Sequence, residues 1–277
     1  MKHAFSAAVV LLFVATAAFA QNDIRKVEFQ NFTYEPSCAG EDTTKVTVAG
    51  GEFSEEKKVD EYTERFFFKV FNIIYGDLNG DKAEEAVILS VCNTGGTGNF
   101  TEGFVYSMKR GKPTLVARIP GGDRADGGLR KAWIENGLLV IESNDSEQAR
   151  GACCPGGTIT QKVRLSAGKL LNVGRPIIRD LFPPQRVTFA KGASGATIKL
   201  TIPANEGKRL IVGARSGQTL SVSIDTDKAS ADLDEDADIT NNPSGFDAVL
   251  PKSGDYTIRV LNYEDSPLVV TVSIKIY

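Results

Sequence analysis

The side chains best suited to chemistry in this chain lie between Asp77 and Glu85. Asp77, Asn79 and Asp81 alternate with other residues, so their oxygens can converge on one centre. The backbone carbonyl of Ala83 and the carboxylate of Glu85 would complete the set. Hard oxygen ligands at this spacing suit calcium. The loop therefore predicts a structural calcium site.

The same loop departs from an EF-hand at two positions. Lys82 stands where an EF-hand has glycine, and Ile88 stands where it has a bidentate glutamate. The dipeptide Asn79-Gly80 is also a strong turn signal. A plain turn with solvated carboxylates is therefore the alternative interpretation.

The first twenty residues set the expected compartment. They combine a short polar start, an apolar stretch and the small-x-small sequence Ala18-Phe19-Ala20. This pattern predicts a signal peptide over 1–20 and a secreted or periplasmic mature chain. The single histidine, His3, would be removed with it. Sites of the Ser-His-Asp and Cys-His types and histidine-ligated metals are then excluded.

The overall charge bears on the partner. The formal net charge is −3, and the loss of Lys2 makes it one unit more negative. This mild acidity argues against nucleic acid and permits a basic protein partner. A dense acidic run at 225–238 is expected to be a solvated loop that could attract a cation or a basic partner. No stretch after the signal reaches the roughly 18 apolar residues of a membrane span.

Four cysteines predict two disulfides in an oxidising compartment: Cys38, Cys92, Cys153 and Cys154. Neighbouring side chains of an extended chain point in opposite directions, so a bridge within the adjacent pair is expected to be strained. The expected pairing therefore joins Cys38 and Cys92 each to one of the adjacent cysteines. A redox-active or metal-binding cysteine pair is the alternative.

Period-two alternation predicts an all-β protein. The near-continuous apolar run from Glu85 to Cys92 predicts a strand that is buried on both faces. Three hairpins follow, with turns at Arg110-Gly111, Asn136-Gly137 and Ala167-Gly168. We expect a disulfide-bonded antiparallel β-meander domain over 21–180.

A proline-containing segment then separates two domains. Pro183 and Pro184 predict a linker over 181–186 through which no strand pairs. After it, apolar residues alternate cleanly with polar ones, which predicts sheets with one buried and one wet face. About ninety residues of this kind indicate a jelly-roll-like β-sandwich over 187–277.

Residues 75–91 resemble one FG-GAP-type repeat, the calcium-loop unit of integrin-like propellers. The resemblance is carried by the sequence YGDLNGD followed by an apolar strand. It implies a calcium loop. Only one copy occurs in the chain, so a propeller is not expected.

The C-terminal domain resembles the bacterial sandwich of pre-peptidase C-terminal domains and of the periplasmic inhibitor of g-type lysozyme. The matching stretches are VTFAKGASGATIKLTI at 187–202, GARSGQTLSVSI at 213–224 and LPKSGDYTIRV at 250–260. The inhibitor resemblance implies a Ser-Gly-x-Tyr loop that enters the enzyme cleft, and Ser253, Gly254 and Tyr256 match it. An ordinary sandwich corner is the alternative.

These features together favour a non-catalytic binding protein that acts at the cell envelope on a protein or glycan. Inhibition of g-type lysozyme through the Ser253–Tyr256 loop is the first alternative. The second is a histidine-independent hydrolase, for which Glu84, Glu85, Glu102 and Asp123 are the candidate carboxylates. No motif supports catalysis, so an enzyme is not expected.

Overall fold

The computed structural model of the protein describes residues 23–38, 45–148 and 153–277. The predicted signal peptide lies outside these residues. The chain divides into two compact units, the first ending at Ile178 and the second running from Arg179 to Tyr277. The predicted all-β class is confirmed, since strands dominate both units. No helix in the described ranges is long and apolar enough to cross a membrane.

The first unit contains two antiparallel meanders and a small two-stranded sheet. Strands β3 to β7 form one meander, strands β8 to β11 form the other, and β1 pairs with β2. Three short 3-10 turns lie at Ile24–Lys26, Phe29–Asn31 and Ser146–Gln148. The strand bounds are β1 Thr33–Tyr34, β2 Val46–Thr47, β3 Glu52–Val59, β4 Tyr62–Gly76, β5 Glu85–Asn93, β6 Phe100–Lys109, β7 Lys112–Ile119, β8 Leu129–Glu135, β9 Leu138–Asn144, β10 Gly157–Ser166 and β11 Lys169–Asp180.

Strand β5 is buried on both faces, as its sequence predicts. Ala86 and Ile88 pack into a cluster with the aromatic side chains of the N-terminal segments. Val87 and Leu89 point the other way, into a cluster with residues of β8 to β10. Because side chains alternate along a strand, a strand that contacts two cores must be apolar at nearly every position.

The three predicted hairpins are confirmed. Arg110-Gly111 joins β6 to β7, Asn136-Gly137 joins β8 to β9, and Ala167-Gly168 joins β10 to β11. Both residues of each turn have positive φ, between 48° and 76°. This is the backbone of a type I′ turn, whose twist matches that of the paired strands.

The disulfide pairing expected from the sequence is wrong. Cys38 bonds to Cys92, and Cys153 bonds to its neighbour Cys154. Cys92 is 2% exposed on the same face of β5 as Ile88, and Cys38 packs against that cluster. Cys153 lies in a turn rather than in extended chain. The alternation of side-chain directions, on which the expectation rested, does not apply there.

The second unit is a sandwich of two sheets. Their strand orders are β12-β14-β19-β16 and β13-β20-β15-β18-β17. Inward-facing residues of both sheets, among them Leu210, Val222, Ile258 and Val272, form one core. The strand bounds are β12 Pro184–Arg186, β13 Gly195–Ile202, β14 Gly207–Ala214, β15 Thr219–Ile224, β16 Ala229–Leu233, β17 Asp238–Asn242, β18 Gly245–Val249, β19 Gly254–Asn262 and β20 Leu268–Ile276.

Two segments expected to be unpaired are strands in this unit. Pro184–Arg186 pairs in parallel with Arg209–Ile211, although it lies within the predicted linker. A proline is tolerated there because it is the first residue of an edge strand. Ala229–Leu233 pairs with β19, although it lies within the acidic run. Ala229, Ala231 and Leu233 face the core, so the run is not wholly a solvated loop.

Removing the buried disulfide should weaken the first unit strongly. Cys38 and Cys92 are separated by 54 residues, and a crosslink over such a loop contributes about 4 kcal/mol by limiting the unfolded chain. We expect Cys38→Ala/Cys92→Ala to lower the free energy of unfolding of this unit by that amount in guanidinium titration. The matched control, Cys153→Ala/Cys154→Ala, should change it by less than about 1 kcal/mol because that bond closes no long loop. Equal losses in both variants would contradict the assignment.

Candidate functional site

The predicted partner-binding residues lie where β18 passes into β19. The connecting segment runs from Leu250 to Ser253, and β19 begins at Gly254. Ser253 and Gly254 are exposed, together with Lys252 and Asp255. We call Lys252 to Tyr256 the β19 corner.

Tyr256 is not part of the exposed surface of this corner. Its side chain is 1% exposed and belongs to the sandwich core. Its hydroxyl donates to the carbonyl oxygen of Lys252 at 2.7 Å and accepts from the Lys252 N–H at 3.3 Å. Tyr256 therefore fixes the backbone of the corner from below, and a partner would touch Ser253 and Lys252 instead.

A second loop holds the β19 corner from the side. The Ser216 N–H donates to Ser253 Oγ at 3.0 Å, and Ser216 Oγ donates to the Pro251 carbonyl at 2.9 Å. Arg186 donates to Asp255, which lowers the pKa of that carboxyl below its ordinary value. The corner is thus tied to the β14–β15 turn and to strand β12. A loop held at three points loses little conformational freedom when it binds.

The exposed chemistry of the corner is that of a hydrogen-bond donor. Ser253 Oγ uses a lone pair for Ser216, so its own proton can be donated outward. Lys252 is exposed beside it, and Arg215 is exposed next to Ser216. Such donors suit carboxylates and the oxygens of a glycan.

Tyr256→Phe tests the positioning role. The substitution keeps the ring in the core and removes both hydrogen bonds to Lys252. We expect the second unit to lose about 2 kcal/mol of stability in chemical denaturation, the net contribution of two hydrogen bonds. Hydrogen exchange should rise at the Lys252 N–H, with the core amides of β19 unchanged. An unaltered Lys252 exchange rate would contradict the role.

The predicted calcium loop is closed by its own hydrogen bonds. Asp77 Oδ1 accepts from the N–H of Gly80 at 2.6 Å, and Asp77 Oδ2 accepts from the N–H of Lys82 at 2.9 Å. Asp81 Oδ1 accepts from the N–H of Ala83 at 2.8 Å. Lys82 has a φ of 70°, the left-handed conformation that glycine adopts most readily. These contacts are those of a turn stabilised by aspartate side chains.

Glu85 lies at the buried end of this loop. It is fully buried and accepts from the Leu78 N–H at 2.9 Å and from Asn79 Nδ2 at 2.9 Å. Burial raises the pKa of Glu85, and the charges of Asp81 and Asp77 act in the same direction. Asn79 thus points a donor, rather than an oxygen, at Glu85 and Asp81. No cluster of metal-ligating side chains is found in the described ranges, and calcium binding by Asp77 to Glu85 stays a prediction.

Asp77→Asn separates the two interpretations of this loop. Desolvation acts to raise the pKa of Asp77, but the N–H groups of Lys82, Gly80 and Asn79 outweigh it and lower the pKa. Its ionised form therefore stabilises the fold above the unfolded pKa of about 3.9 and ceases to do so as pH falls through the lower folded value. We expect Asp77→Asn to cost about 1 kcal/mol at neutral pH, with the difference shrinking below about pH 4.

A calcium site would add a second effect to the same experiment. Millimolar calcium would then raise the melting temperature of the wild-type protein and leave that of Asp77→Asn unchanged. Equal melting temperatures of the wild type in calcium and in chelator would end the calcium prediction, while the pH-dependent loss would still support the turn.

The remaining candidate carboxylates also hold structural contacts. Glu84 is paired with Arg25. Glu102 accepts from the N–H and hydroxyl of Ser37 and from Arg118. Asp123 accepts from the Asn99 N–H and from Arg124. Each carboxylate therefore has a role in holding loops of the first unit.

Part of the acidic run lies close to the β19 corner. Glu235 accepts from the Thr257 N–H at 2.7 Å, and the Asp234 N–H donates to the Thr257 carbonyl. Asp234 also forms an ion pair with Arg259. Asp236, which follows, is exposed. The surface around the corner therefore carries both signs of charge.

Comparison with solved structures finds periplasmic inhibitors of g-type lysozyme. PliG of Aeromonas hydrophila is 23% identical, with a TM-score of 0.31. The match covers 35% of this chain and 97% of the PliG chain. A mutant of PliG from Escherichia coli is 22% identical with a TM-score of 0.30, over 35% and 99%. PliG of Salmonella Typhimurium is 23% identical with a TM-score of 0.30, over 34% and 98%. Neither a protein-family model nor a curated protein matches the chain. At these values the likeness carries no argument about function.

Proposed function

We propose that this is a secreted or periplasmic, non-catalytic protein that binds a protein or glycan at the cell envelope. Its finer function is inhibition of g-type lysozyme through the β19 corner. The observation that carries the proposal is the exposed Ser253–Gly254 turn, which the buried Tyr256 hydroxyl and Ser216 hold in one conformation. The signal-like first twenty residues and the Cys38–Cys92 disulfide support the compartment.

Preorganisation supports a binding role for the corner. A loop that is ordered only on binding loses conformational entropy at that moment, and the loss reduces affinity. Here the hydroxyl of Tyr256 and the ties to Ser216 and Arg186 order the loop in the free protein. An exposed turn restrained in this way can enter a cleft at little entropic cost.

The donors of the corner support an acidic cleft as the target. A lysozyme cleaves glycosidic bonds, and glycoside hydrolases use paired carboxylates for this reaction. The Ser253 hydroxyl and the Lys252 ammonium could both reach such carboxylates from one turn. The acidic residues nearby, Glu235 and Asp236, would face the rim of the cleft. Complementary charges at a rim speed association more than they add affinity.

The inhibition is tested by a matched pair of substitutions at opposite ends of β19. Ser253→Glu adds bulk and a negative charge to the corner, while Ser266→Glu adds the same bulk and charge to the exposed loop after the strand. We expect the wild-type protein to inhibit a g-type lysozyme at micromolar concentration. Ser253→Glu should weaken inhibition at least about tenfold, a loss of about 1.4 kcal/mol in binding, because it places a carboxylate against an acidic cleft. Ser266→Glu should leave inhibition unchanged.

Four outcomes would separate the proposed functions. If the wild-type protein does not inhibit the enzyme, the proposed lysozyme inhibition is wrong. If both variants lose inhibition equally, the β19 corner is not the inhibitory element. A pull-down from envelope extracts tests the broader binding function, and recovery of a single basic muramidase would support the finer one. Turnover of peptidoglycan by the protein alone would instead favour the histidine-independent hydrolase.

A further inference from the structure

We propose that the Cys153–Cys154 bond is a thiol–disulfide exchange site, which a dithiol reductant opens in the folded protein. The two disulfides of the chain have different surroundings, and nothing in the proposed binding function uses the second one. The site lies in the segment between β9 and β10. Its chemical partner is a dithiol, either a small molecule or the active site of a dithiol protein.

The bond between adjacent cysteines does little to stabilise the fold. Crosslinks stabilise chiefly by closing long loops in the unfolded chain. Cys38–Cys92 does so over 54 residues, whereas the sequence separation of Cys153 and Cys154 is one. The absence of a loop to close indicates that its role is other than crosslinking.

Access also distinguishes the two bonds. Exchange requires a thiolate to reach a sulfur atom, so its rate depends on exposure. Cys153 and Cys154 are both exposed. Cys92 is 2% exposed, and Cys38 packs against the same core. A reductant in solution should therefore attack the adjacent pair first.

The strands beside the site are fixed independently of the bond. The Asp145 N–H donates to the Gly157 carbonyl at 2.9 Å, closing the base of the segment. Asp145 is 3% exposed and accepts from Gln148 Nε2 at 2.8 Å. Thr158 pairs with Asn144 at the start of the β9–β10 ladder. Opening the bond should therefore leave the β9–β10 ladder intact.

A thiolate of the dithiol attacks one of the two sulfurs, the S–S bond breaks, and the other cysteine leaves as a thiolate that takes up a proton. The second thiol of the reductant then attacks the mixed disulfide and releases the remaining cysteine. Two electrons and two protons pass from the dithiol to Cys153 and Cys154, and the reductant is left as a disulfide.

The experiment treats the native full-length protein with sub-millimolar dithiothreitol, or with a reduced thioredoxin-type protein, and traps free thiols by alkylation. Trypsin places both cysteines in one peptide, 151–162, and places Cys38 and Cys92 in 27–45 and 83–109. We expect peptide 151–162 to gain two alkyl groups at least about tenfold faster than the others. Reduction by the thioredoxin-type protein as well as by dithiothreitol would extend the partner class to dithiol proteins.

Controls keep the result unambiguous. Cys153→Ser/Cys154→Ser should show no alkylation under the same conditions and an unchanged melting temperature. In guanidinium the wild-type protein should label at all four cysteines. Equal reduction rates for the two bonds, resistance of peptide 151–162 to both reductants, or its recovery linked to 27–45 or 83–109 would each overturn the proposal.

Discussion

The first unit depends on the burial of β5 on both faces. One face packs on Phe68 and Phe104 in the aromatic cluster, and the other packs on Leu139 and Val163 of the second meander. Specific contacts also hold this strand near both of its ends. At its start, buried Glu85 accepts the Leu78 N–H and closes the acidic turn. Near its end, Cys92 is bonded to Cys38. The acidic loop that ends at Glu85 and the disulfide of Cys92 therefore hold the two ends of the same strand.

In the second unit, one side chain joins the core to the surface. A buried phenol must find hydrogen-bond partners, since an unsatisfied hydroxyl in the core costs about 1–3 kcal/mol. Tyr256 finds them in the backbone of Lys252, four residues earlier. Satisfying the core residue therefore also fixes the exposed turn. A Ser-Gly-x-Tyr sequence is therefore compatible with two roles, stabilising the sandwich core and presenting a binding turn. The sequence pattern alone does not distinguish these roles.

The elements that could be predicted from the sequence are those whose structure is determined by their own residues. Type I′ turns such as Asn136-Gly137 and the apolar run of β5 carry their structure in their own residues, and both are confirmed. The alternation of Tyr256 with Ile258 and Val260 also carried a usable signal, since residues two apart share one face and Tyr256 must then face the core with them. Strand β3, with the sequence EFSEEKKV, has no apolar alternation. It forms because it pairs with β4 through backbone hydrogen bonds and ion pairs such as Lys69–Glu52. The pairing of Cys153 with Cys154 depends on a local turn that the sequence pattern does not specify.

Under the proposed function, the charges at and around the β19 corner would act at two different ranges. The protein as a whole is acidic, and two residues of its acidic run, Glu235 and Asp236, lie beside the corner. The outward donors of the corner itself are Lys252 and Ser253. Surface charges act over a Debye length of about 8 Å at physiological salt, so a basic partner would be drawn by the acidic surroundings before it meets the donors. Inside a cleft, where water is excluded, the same donors act at hydrogen-bond distance and at lower dielectric constant. In the proposed complex, the acidic residues would therefore act at long range, and Lys252 and Ser253 would act at hydrogen-bond distance.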